Sequence, residues 1–247
     1  MRIAVITDLH ANREAVQAVL DHAAEQQIDR YAFLGDFVGY GADPAWVVDL
    51  VRGHVRRGAF AVRGNHDAAV VRGSLPSMRI DARLVVDWTR AQLDAEQLAF
   101  LAGLPLSQAS GELLYVHANA YDPPAWDYVQ GRAEAVRSMH ATTARVTFCG
   151  HMHAPRLYHL SVLGKAGDFV PLPGATIPLL ASRRWLVIPG SVGQPRDGNP
   201  AACYAVFEDT RAELTYWRVP YDVEAAGARI VAAGLPPTLA SRLVEGR

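Results

Sequence analysis

Residue types that bind transition metals recur in five short clusters along this chain. The clusters are Asp8-Leu9-His10, Gly35-Asp36, Gly64-Asn65-His66-Asp67, His117 and Gly150-His151-Met152-His153. Carboxylate and amide oxygens bind hard cations, and imidazole nitrogens bind borderline transition metals. A set that mixes Asp, Asn and several His therefore suits two transition-metal ions that share one carboxylate. Two such ions can activate water for attack on a phosphate ester.

The spacing within the clusters suggests how single ions are bound. Asp8 and His10 are two residues apart, and residues i and i+2 of an extended backbone point to the same side. One ion can then bind to both side chains, and His151 and His153 repeat this arrangement. Asp36 has two carboxylate oxygens and can bridge two ions. We therefore expect extended backbone at both pairs.

Each cluster follows a segment that the sequence predicts to be a β-strand. Apolar runs at 3–6, 31–34 and 59–62 each end at a cluster, and helical apolar spacing begins at Ala15 and at Pro44 between them. This order of strand, helix and strand predicts right-handed βαβ units. Sites in such sheets lie at the carboxyl ends of the strands, so residue type and placement agree.

The later part of the chain is predicted to add further helices and a second sheet. Apolar spacing predicts helices over 81–101, 132–139, 222–233 and 237–244. Strands are predicted at 113–116 and 146–149, and antiparallel strands of a second sheet at 157–163, 185–188, 203–207 and 214–219. The predicted fold class is α/β, an α+β sandwich of two β-sheets packed face to face with helices outside, in one domain over residues 1–247.

Composition narrows the classes of partner. Half of the 247 residues are apolar, and 24 Lys and Arg balance 25 Asp and Glu to give a net charge of -1. Without a basic excess, a nucleic-acid partner is not expected, and Arg52, Arg56 and Arg57 are interpreted as a solvated helix face. Cys149 and Cys203 belong to no CxxC motif, which is typical of a reducing compartment. With no signal-peptide pattern and no long apolar span, we expect a soluble cytoplasmic protein with no membrane partner.

The five motifs together resemble those of the calcineurin-like metallophosphoesterases. The pattern D-x-H, G-D, G-N-H-D, H and G-H-x-H spans positions 8–153. The segments 8–12, 150–155 and 189–196 also resemble a bacterial, phosphodiesterase-like branch of that superfamily. The resemblance implies a four-layer fold of two packed sheets flanked by helices, and a metal-dependent phosphoric ester hydrolase.

The resemblance also implies a role for each matching position. The first metal ion would be held by Asp8, His10, Asp36 and His153, and the second by Asp36, Asn65, His117 and His151. A water or hydroxide that bridges the ions would attack phosphorus, and His66 would protonate the leaving group. Manganese is the expected metal, with iron, zinc and nickel left open because this ligand set accepts several ions.

Residues for substrate binding are less clearly marked. Asn12, Arg13 and Tyr40 are the candidates, although Asn12 also fits a helix cap and Arg13 also fits an exposed helix charge. Trp126 and Tyr128 fit either stacking on a base or simple packing. The polar segment 191–196 is interpreted as structural, with Arg196 as a further possible contact to the site.

Departures from the family pattern bear on the type of phosphoesterase. The protein-phosphatase branch has G-D-x-V-D-R-G, but here Gly39 and Tyr40 replace its second Asp and its phosphate-binding Arg. This disfavours a Ser/Thr protein phosphatase and, more mildly, a dinucleoside polyphosphate (Ap4A-type) hydrolase. It also leaves the hydrogen-bond partner of His66 open, with Asp67 as one candidate.

The leading expectation is therefore a phosphodiesterase or phosphatase that acts on a small phosphate ester, which can be a nucleotide. A nuclease of the same fold is disfavoured by the balanced charge. A non-catalytic scaffold, like the retromer subunit that resembles this fold, is disfavoured because every expected ligand and His66 are present. The oligomeric state stays open.

Overall fold

Twelve strands in two six-stranded sheets form the centre of the molecule. The computed structural model describes all 247 residues. The strands are β1 (Arg2–Ile6), β2 (Arg30–Phe33), β3 (Phe60–Ala61), β4 (Ser107–Ser110), β5 (Leu113–Val116), β6 (Val146–Phe148), β7 (Arg156–Ser161), β8 (Ala166–Phe169), β9 (Thr176–Pro178), β10 (Arg183–Ile188), β11 (Ala202–Glu208) and β12 (Glu213–Val219).

Eight α-helices and one short 3₁₀ turn, Pro123–Ala125, complete the chain. The helices are α1 (Arg13–Glu25), α2 (Pro44–Arg56), α3 (Asn65–Arg72), α4 (Ile80–Ala91), α5 (Ala95–Gly103), α6 (Arg132–His140), α7 (Val223–Ala232) and α8 (Pro237–Glu245). No helix has the length and the apolar character needed to cross a membrane.

Both sheets combine parallel and antiparallel strands. The first has the order β3-β2-β1-β11-β12-β9, in which β1, β2 and β3 are parallel and the remaining pairs are antiparallel. The second has the order β4-β5-β6-β10-β7-β8, in which β5, β6 and β10 are parallel. Each sheet therefore contains three neighbouring parallel strands, whose carboxyl ends lie at the same end of the sheet.

Apolar residues on alternate positions of β1 show why the layers stack. Ile3 and Val5 face the second sheet, and they join Tyr115 and Phe148 in the core between the sheets. Ala4 and Ile6 face α1 and α2 in a separate core. Because side chains alternate along a strand, one apolar run of four residues, Ile3 to Ile6, serves both cores. Helix α6 covers the far face of the second sheet, which completes the four predicted layers.

The structure corrects the predicted placement of the C-terminal strands. Sequence patterning put all of them in a second sheet, but β11 and β12 join the first sheet, where β11 pairs with β1 from Arg2↔Glu208 to Val5↔Ala205. The prediction was wrong because β1 is apolar on both faces and needs a neighbour on each side, β2 on one and β11 on the other. Strands β7 and β10 do lie in the second sheet.

Two helix predictions also need correction. The single helix predicted over 81–101 is two helices, α4 and α5, because the Asp94 side chain accepts the Gln97 N–H at 2.8 Å and so caps the start of α5. Helix α3 was not predicted, and it places Asn65, His66 and Asp67 in its first turn rather than in a loop.

Candidate metal centre

The seven predicted ligands come together at one edge of the two sheets. Asp8 follows β1, Asp36 follows β2, and Asn65 follows β3 at the start of α3. His117 follows β5, and the pair His151 and His153 follows β6. All of these strands are parallel within their own sheet, so their carboxyl ends deliver the side chains to a common place.

The side chains form two groups that share Asp36. In each group the donor atoms lie within 4.8 Å of one another, the first group being Asp8, His10, Asp36 and His153 and the second Asp36, His117 and His151. Asn65 belongs beside the second group, since its Oδ1 atom is 3.0 Å from His117 Nε2. These are the two sets that the family resemblance implies for the two ions.

The distances fit ligands that surround single ions. Asp36 Oδ2 is 3.4 Å from His117 Nε2 and 3.8 Å from His10 Nε2, so one oxygen faces both groups. The Nε2 atoms of His10 and His153 are 3.1 Å apart. Two nitrogens bound to one ion at about 2.1 Å each would have a similar separation. The donor chemistry and the spacing therefore fit two divalent ions.

Hydrogen bonds to backbone carbonyls fix the tautomer of three imidazoles. A carbonyl oxygen only accepts, so the Nδ1 atom that faces it carries the proton and leaves the Nε2 lone pair free for a metal. The three bonds are from His10 to Val38 at 3.2 Å, from His117 to Leu34 at 2.7 Å and from His153 to Gln194 at 2.6 Å. Each ligand is thus oriented before any ion binds.

The backbone at the ligands is left-handed, which corrects the expectation of extended chain. Asp8 and His10 have φ of +53° and +46°, and His151 and His153 have φ of +67° and +58°. Asp36 has φ of +52°. The side chains of each i, i+2 pair therefore converge through tight turns rather than through strand geometry, at a steric cost for residues with a Cβ atom.

Charges within the groups offset one another. Burial alone would raise the pKa of Asp36, yet the neighbouring His117 holds that pKa well below its ordinary value. At His117, burial is outweighed by Asp36, which raises the pKa to about 9. Burial lowers the pKa of His10 and, together with His117, lowers that of His151 to about 4. Ionised carboxylates and neutral imidazoles are the forms that bind metal, so an ion bound at the second group would displace a proton from His117.

Asp67 hydrogen-bonds the loop that carries Asp36, and it makes no hydrogen bond to His66. Its two oxygens accept the backbone N–H groups of Asp36, Phe37 and Gly64 at 2.9 Å and of Val38 at 3.3 Å. Both oxygens are therefore occupied by the backbone of the bridging ligand's turn. Asp67 is a structural residue, and it is not the hydrogen-bond partner of the neighbouring histidine.

His66 lies against rings and a glycine. Its imidazole centroid is 5.0 Å from that of His10 and 4.5 Å from that of Tyr40. Gly39, at φ +87°, is so close that an added Cβ atom would lie 2.6 Å from His66 Nδ1. The glycine that replaces the second Asp of the phosphatase motif thus provides the space in which this ring sits. Burial lowers the pKa of His66.

The candidate substrate residues have different surroundings. Asn12 is buried, and its side chain caps α1 through the Ala15 N–H at 3.1 Å and donates to the Gly193 carbonyl at 2.9 Å. Its polar atoms are used within the protein, as expected of a helix cap. The guanidinium of Arg13 lies 5.1 Å above the ring of Trp46, away from the ligands. Among the three, only Tyr40 contacts the ligand shell, with its ring 4.6 Å from His10.

Several supporting residues were not identified as such from the sequence. Tyr128 stacks on His151 with ring centroids 4.1 Å apart, and Ser191 donates to the Asp8 carbonyl at 2.9 Å. The Gln194 carbonyl orients His153. Sequence signals for them are weak because packing and backbone carbonyls have no residue signature, although the polar 189–196 motif did mark the last two.

The motifs and the geometry agree with the comparison to known families. Residues 1–211 match the model of the calcineurin-like phosphoesterase superfamily domain. The chain belongs to this family. Its buried Asp and His cluster is in keeping with the divalent-metal binding and the phosphoester hydrolysis that the family suggests.

Three similar proteins align with this chain over nearly its whole length. It is 35% identical over 251 residues to the uncharacterized protein MJ0912 of Methanocaldococcus jannaschii, covering 99% of this chain and 98% of that protein. A metallophosphoesterase from Sphaerobacter thermophilus of known crystal structure is 37% identical with a TM-score of 0.89 and full coverage of both chains. The hypothetical protein PH1004 from Pyrococcus horikoshii OT3, 19% identical, has the same fold with a TM-score of 0.79 over 100% of this chain and 98% of that one.

Proposed function

We propose that this protein hydrolyses phosphodiester or phosphomonoester bonds of small molecules with two divalent metal ions, manganese being the expected metal. The observation that carries the proposal is the pair of ligand groups joined by Asp36, beside which the His66 imidazole lies. The first ion would bind to Asp8, His10, Asp36 and His153, and the second to Asp36, Asn65, His117 and His151. Bound ions of this kind lower the pKa of water and offset charge on phosphoryl oxygens.

Residues of the chain orient the imidazole ligands and supply a proton to the leaving group. The carbonyl groups of Leu34, Val38 and Gln194 keep the imidazoles in the metal-binding tautomer. His66 lies at the rim of this centre and is proposed to protonate the leaving oxygen. Burial disfavours its charged form, but an anionic phosphate bound beside it favours that form, so the proton is supplied when substrate is present.

A small substrate is favoured over a macromolecule. The net charge of -1 provides no overall attraction for nucleic acid. Position 40 is a tyrosine that packs on His10 and His66 where the protein-phosphatase branch has its phosphate-binding Arg, which disfavours a Ser/Thr protein phosphatase. The complete ligand set likewise favours an enzyme over a scaffold.

Hydrolysis of p-nitrophenyl phosphate and bis-p-nitrophenyl phosphate tests the proposal. Purified protein loaded with manganese should release p-nitrophenol from one or both esters and lose this activity with EDTA. Iron, zinc and nickel are compared in the same assay. A protein that binds no metal by calorimetry, or that releases no product with any of these ions, would contradict the proposed function.

The role of His66 is tested separately from metal binding. His66→Ala should reduce kcat for phenyl phosphate, whose more basic leaving oxygen needs a proton, by roughly 10² to 10⁴, the usual contribution of a positioned acid, while the manganese affinity stays close to that of the wild type. His140→Ala, at an exposed histidine at the end of α6, is the matched control and should retain full activity. Undiminished turnover in His66→Ala would exclude it as the acid.

A further inference from the structure

A second cleft adjoins the one that contains His66. The cleft beside the metal centre has a volume of about 460 Å³ and includes Asn65 and His66 in its lining. The second has a volume of about 700 Å³ and lies under α8. Tyr40, Thr238 and Arg242 line both, so the two clefts meet at these residues. A molecule bound at the metal centre can therefore extend beneath α8.

The charged lining of this second cleft is mainly basic. It consists of Arg196, Arg242, Arg247 and one acid, Glu245, which is ion-paired with Arg247. Arg196 and Arg242 have no carboxylate within ion-pairing distance. Asp197, the acid adjacent to Arg196 in the chain, pairs instead with Arg218. Two guanidinium groups therefore face one cleft without compensating charge.

Arg196 is fixed in position. Its Nη2 atom donates to Gln194 Oε1 at 2.9 Å and contacts the Tyr40 hydroxyl at 3.4 Å, and the side chain is half-buried. Its backbone N–H donates to the carbonyl of His153, a metal-ligand candidate, at 3.1 Å. Holding a guanidinium in this way reduces the entropy lost when it binds an anion. The neutral partners leave its charge free for a ligand.

Helix α8, which carries Arg242, is anchored by apolar packing. Leu239 and Leu243 are buried against Val85 of α4 and Ile230 of α7. Arg242 is three residues after Leu239, so it lies beside this apolar face and lines the cleft. The guanidinium therefore comes from an anchored helix rather than from a loop.

The Tyr40 ring lies between His66 at the metal centre and Arg196 in the second cleft. Its centroid is 4.5 Å from the His66 ring, and Arg196 Cζ is 5.7 Å from the Tyr40 centroid. Because His66 is the proposed acid, the leaving group departs on this side. An anion bound to Arg196 and Arg242 is then part of the leaving group.

We propose that the basic cleft binds a second, unreacting phosphate group on the leaving group of the substrate. The proposal rests on the proposed function and names the substrate class, a small molecule with two separated phosphate groups. One is hydrolysed at the metal centre while Arg196 and Arg242 bind the other. Arginine forks match the geometry of phosphate oxygens, which favours phosphate over a single carboxylate.

Binding of non-hydrolysable phosphonates to the manganese-loaded protein tests this. Calorimetry compares methylphosphonate with alkane bisphosphonates from ethane to hexane and with 3-phosphonopropanoate. In the wild type, the bisphosphonate of matching length should bind at least about tenfold more tightly than methylphosphonate, the effect of one or two charge-assisted bonds. Arg196→Gln and Arg242→Gln should remove most of this difference and leave methylphosphonate affinity unchanged.

Arg211→Gln, at an exposed arginine in the turn between β11 and β12, is the matched control and should behave like the wild type. Chelation of manganese by the probes cancels in this comparison because the variants differ only at one arginine. Bisphosphonates that bind no better than methylphosphonate, or an advantage kept in both cleft variants, would overturn the proposal. Equal binding of 3-phosphonopropanoate would overturn the assignment to phosphate. Failure of the proposed function is distinct, since it appears as absent p-nitrophenyl phosphate hydrolysis in the wild type.

Discussion

The position of the His66 ring depends on the absence of a side chain at Gly39. Gly39 presents only hydrogen to Nδ1, and no carboxylate hydrogen-bonds the imidazole, since both oxygens of Asp67 serve the backbone. Orientation of this histidine therefore comes from packing against His10 and Tyr40. Packing of that kind is sensitive to displacements of less than an ångström.

Gly39→Ala tests this dependence. The new methyl group would lie 2.6 Å from His66 Nδ1, so the ring must move and kcat for phenyl phosphate, whose leaving oxygen needs the proton, should fall by at least about tenfold. Manganese affinity should change little because Gly39 binds no ion. The measurement is kcat alongside calorimetric titration of the metal.

Gly58→Ala separates ring displacement from backbone strain. Gly58 has a similar φ of +94°, but an added Cβ atom there would meet nothing within 4 Å. Both variants should lose roughly 1–2 kcal/mol of stability from the left-handed backbone. Only Gly39→Ala should lose turnover, and equal activities in the two variants would exclude a positioning role for Gly39.

Residue types predicted the ligands because metal chemistry restricts which side chains can serve. The seven proposed ligands could be named because their motifs resemble those of a known family, and the structure brings all of them together. The groups that orient them could not, since Val38 and Leu34 contribute only carbonyl oxygens, which every residue has. The left-handed turns at Asp8 and His10 were missed, although Asp and His are among the non-glycine residues found most often at positive φ.

At the scale of elements, the break between α4 and α5 is marked by a capping motif, whereas the apolar spacing shows no break. Leu93 and Leu98 continue the helical pattern across the break, so periodicity alone predicted one helix. Asp94 and Gln97 form a capping box, in which each side chain accepts the backbone N–H of the other residue. The motif D-x-x-Q thus marked the boundary in the sequence.

Removing the cap should destabilise the protein by a defined amount. Asp94→Ala should lower the free energy of unfolding in urea by about 1 kcal/mol, because the Gln97 N–H loses its acceptor. Asp94→Asn keeps an acceptor oxygen and should lose much less. If the two variants are equally stable, the side-chain cap does not determine where α5 begins.

The pairing of β11 with β1 illustrates what local patterns cannot determine. Strands predicted from apolar runs were found where expected, but their sheet partners depend on contacts across about two hundred residues. A run such as Ala202–Glu208, buried along most of its length, fits the interior of either sheet. Partner choice is settled by the collective packing of both cores, which no short segment of sequence encodes.

Across the whole molecule, one of the two proposed selectivity residues, Arg242, lies outside the stretch of chain that carries the ligand candidates. All seven ligand candidates lie within residues 1–211, the part that matches the family domain model. Helices α7 and α8 follow it, and α8 carries Arg242 above the cleft. We expect family members that differ after this point to share the metal chemistry while differing in the leaving group that they accept.

Stability should also depend on pH through His54 on α2. Its ring lies 4.6 Å from that of Tyr31, and burial, followed by Arg57, lowers its pKa from 6.5 to about 4. Between these values the unfolded chain binds a proton at His54 that the folded chain does not, so stability falls as the pH falls. His54→Gln should therefore lose less unfolding free energy than the wild type between pH 7 and 5.

Urea unfolding of both proteins with EDTA present provides the measurement, because metal uptake then contributes to neither curve. The wild-type and variant curves should converge as the pH falls. Parallel pH profiles would show that His54 titrates normally in the fold.

The left-handed residues at the metal centre have an evolutionary consequence. Five of the ten non-glycine residues with positive φ are metal-ligand candidates. Glycine at any of these positions would relieve strain while removing a ligand, so stability and catalysis favour opposite residues there. A descendant freed from selection for hydrolysis would gain stability by losing its ligands one at a time.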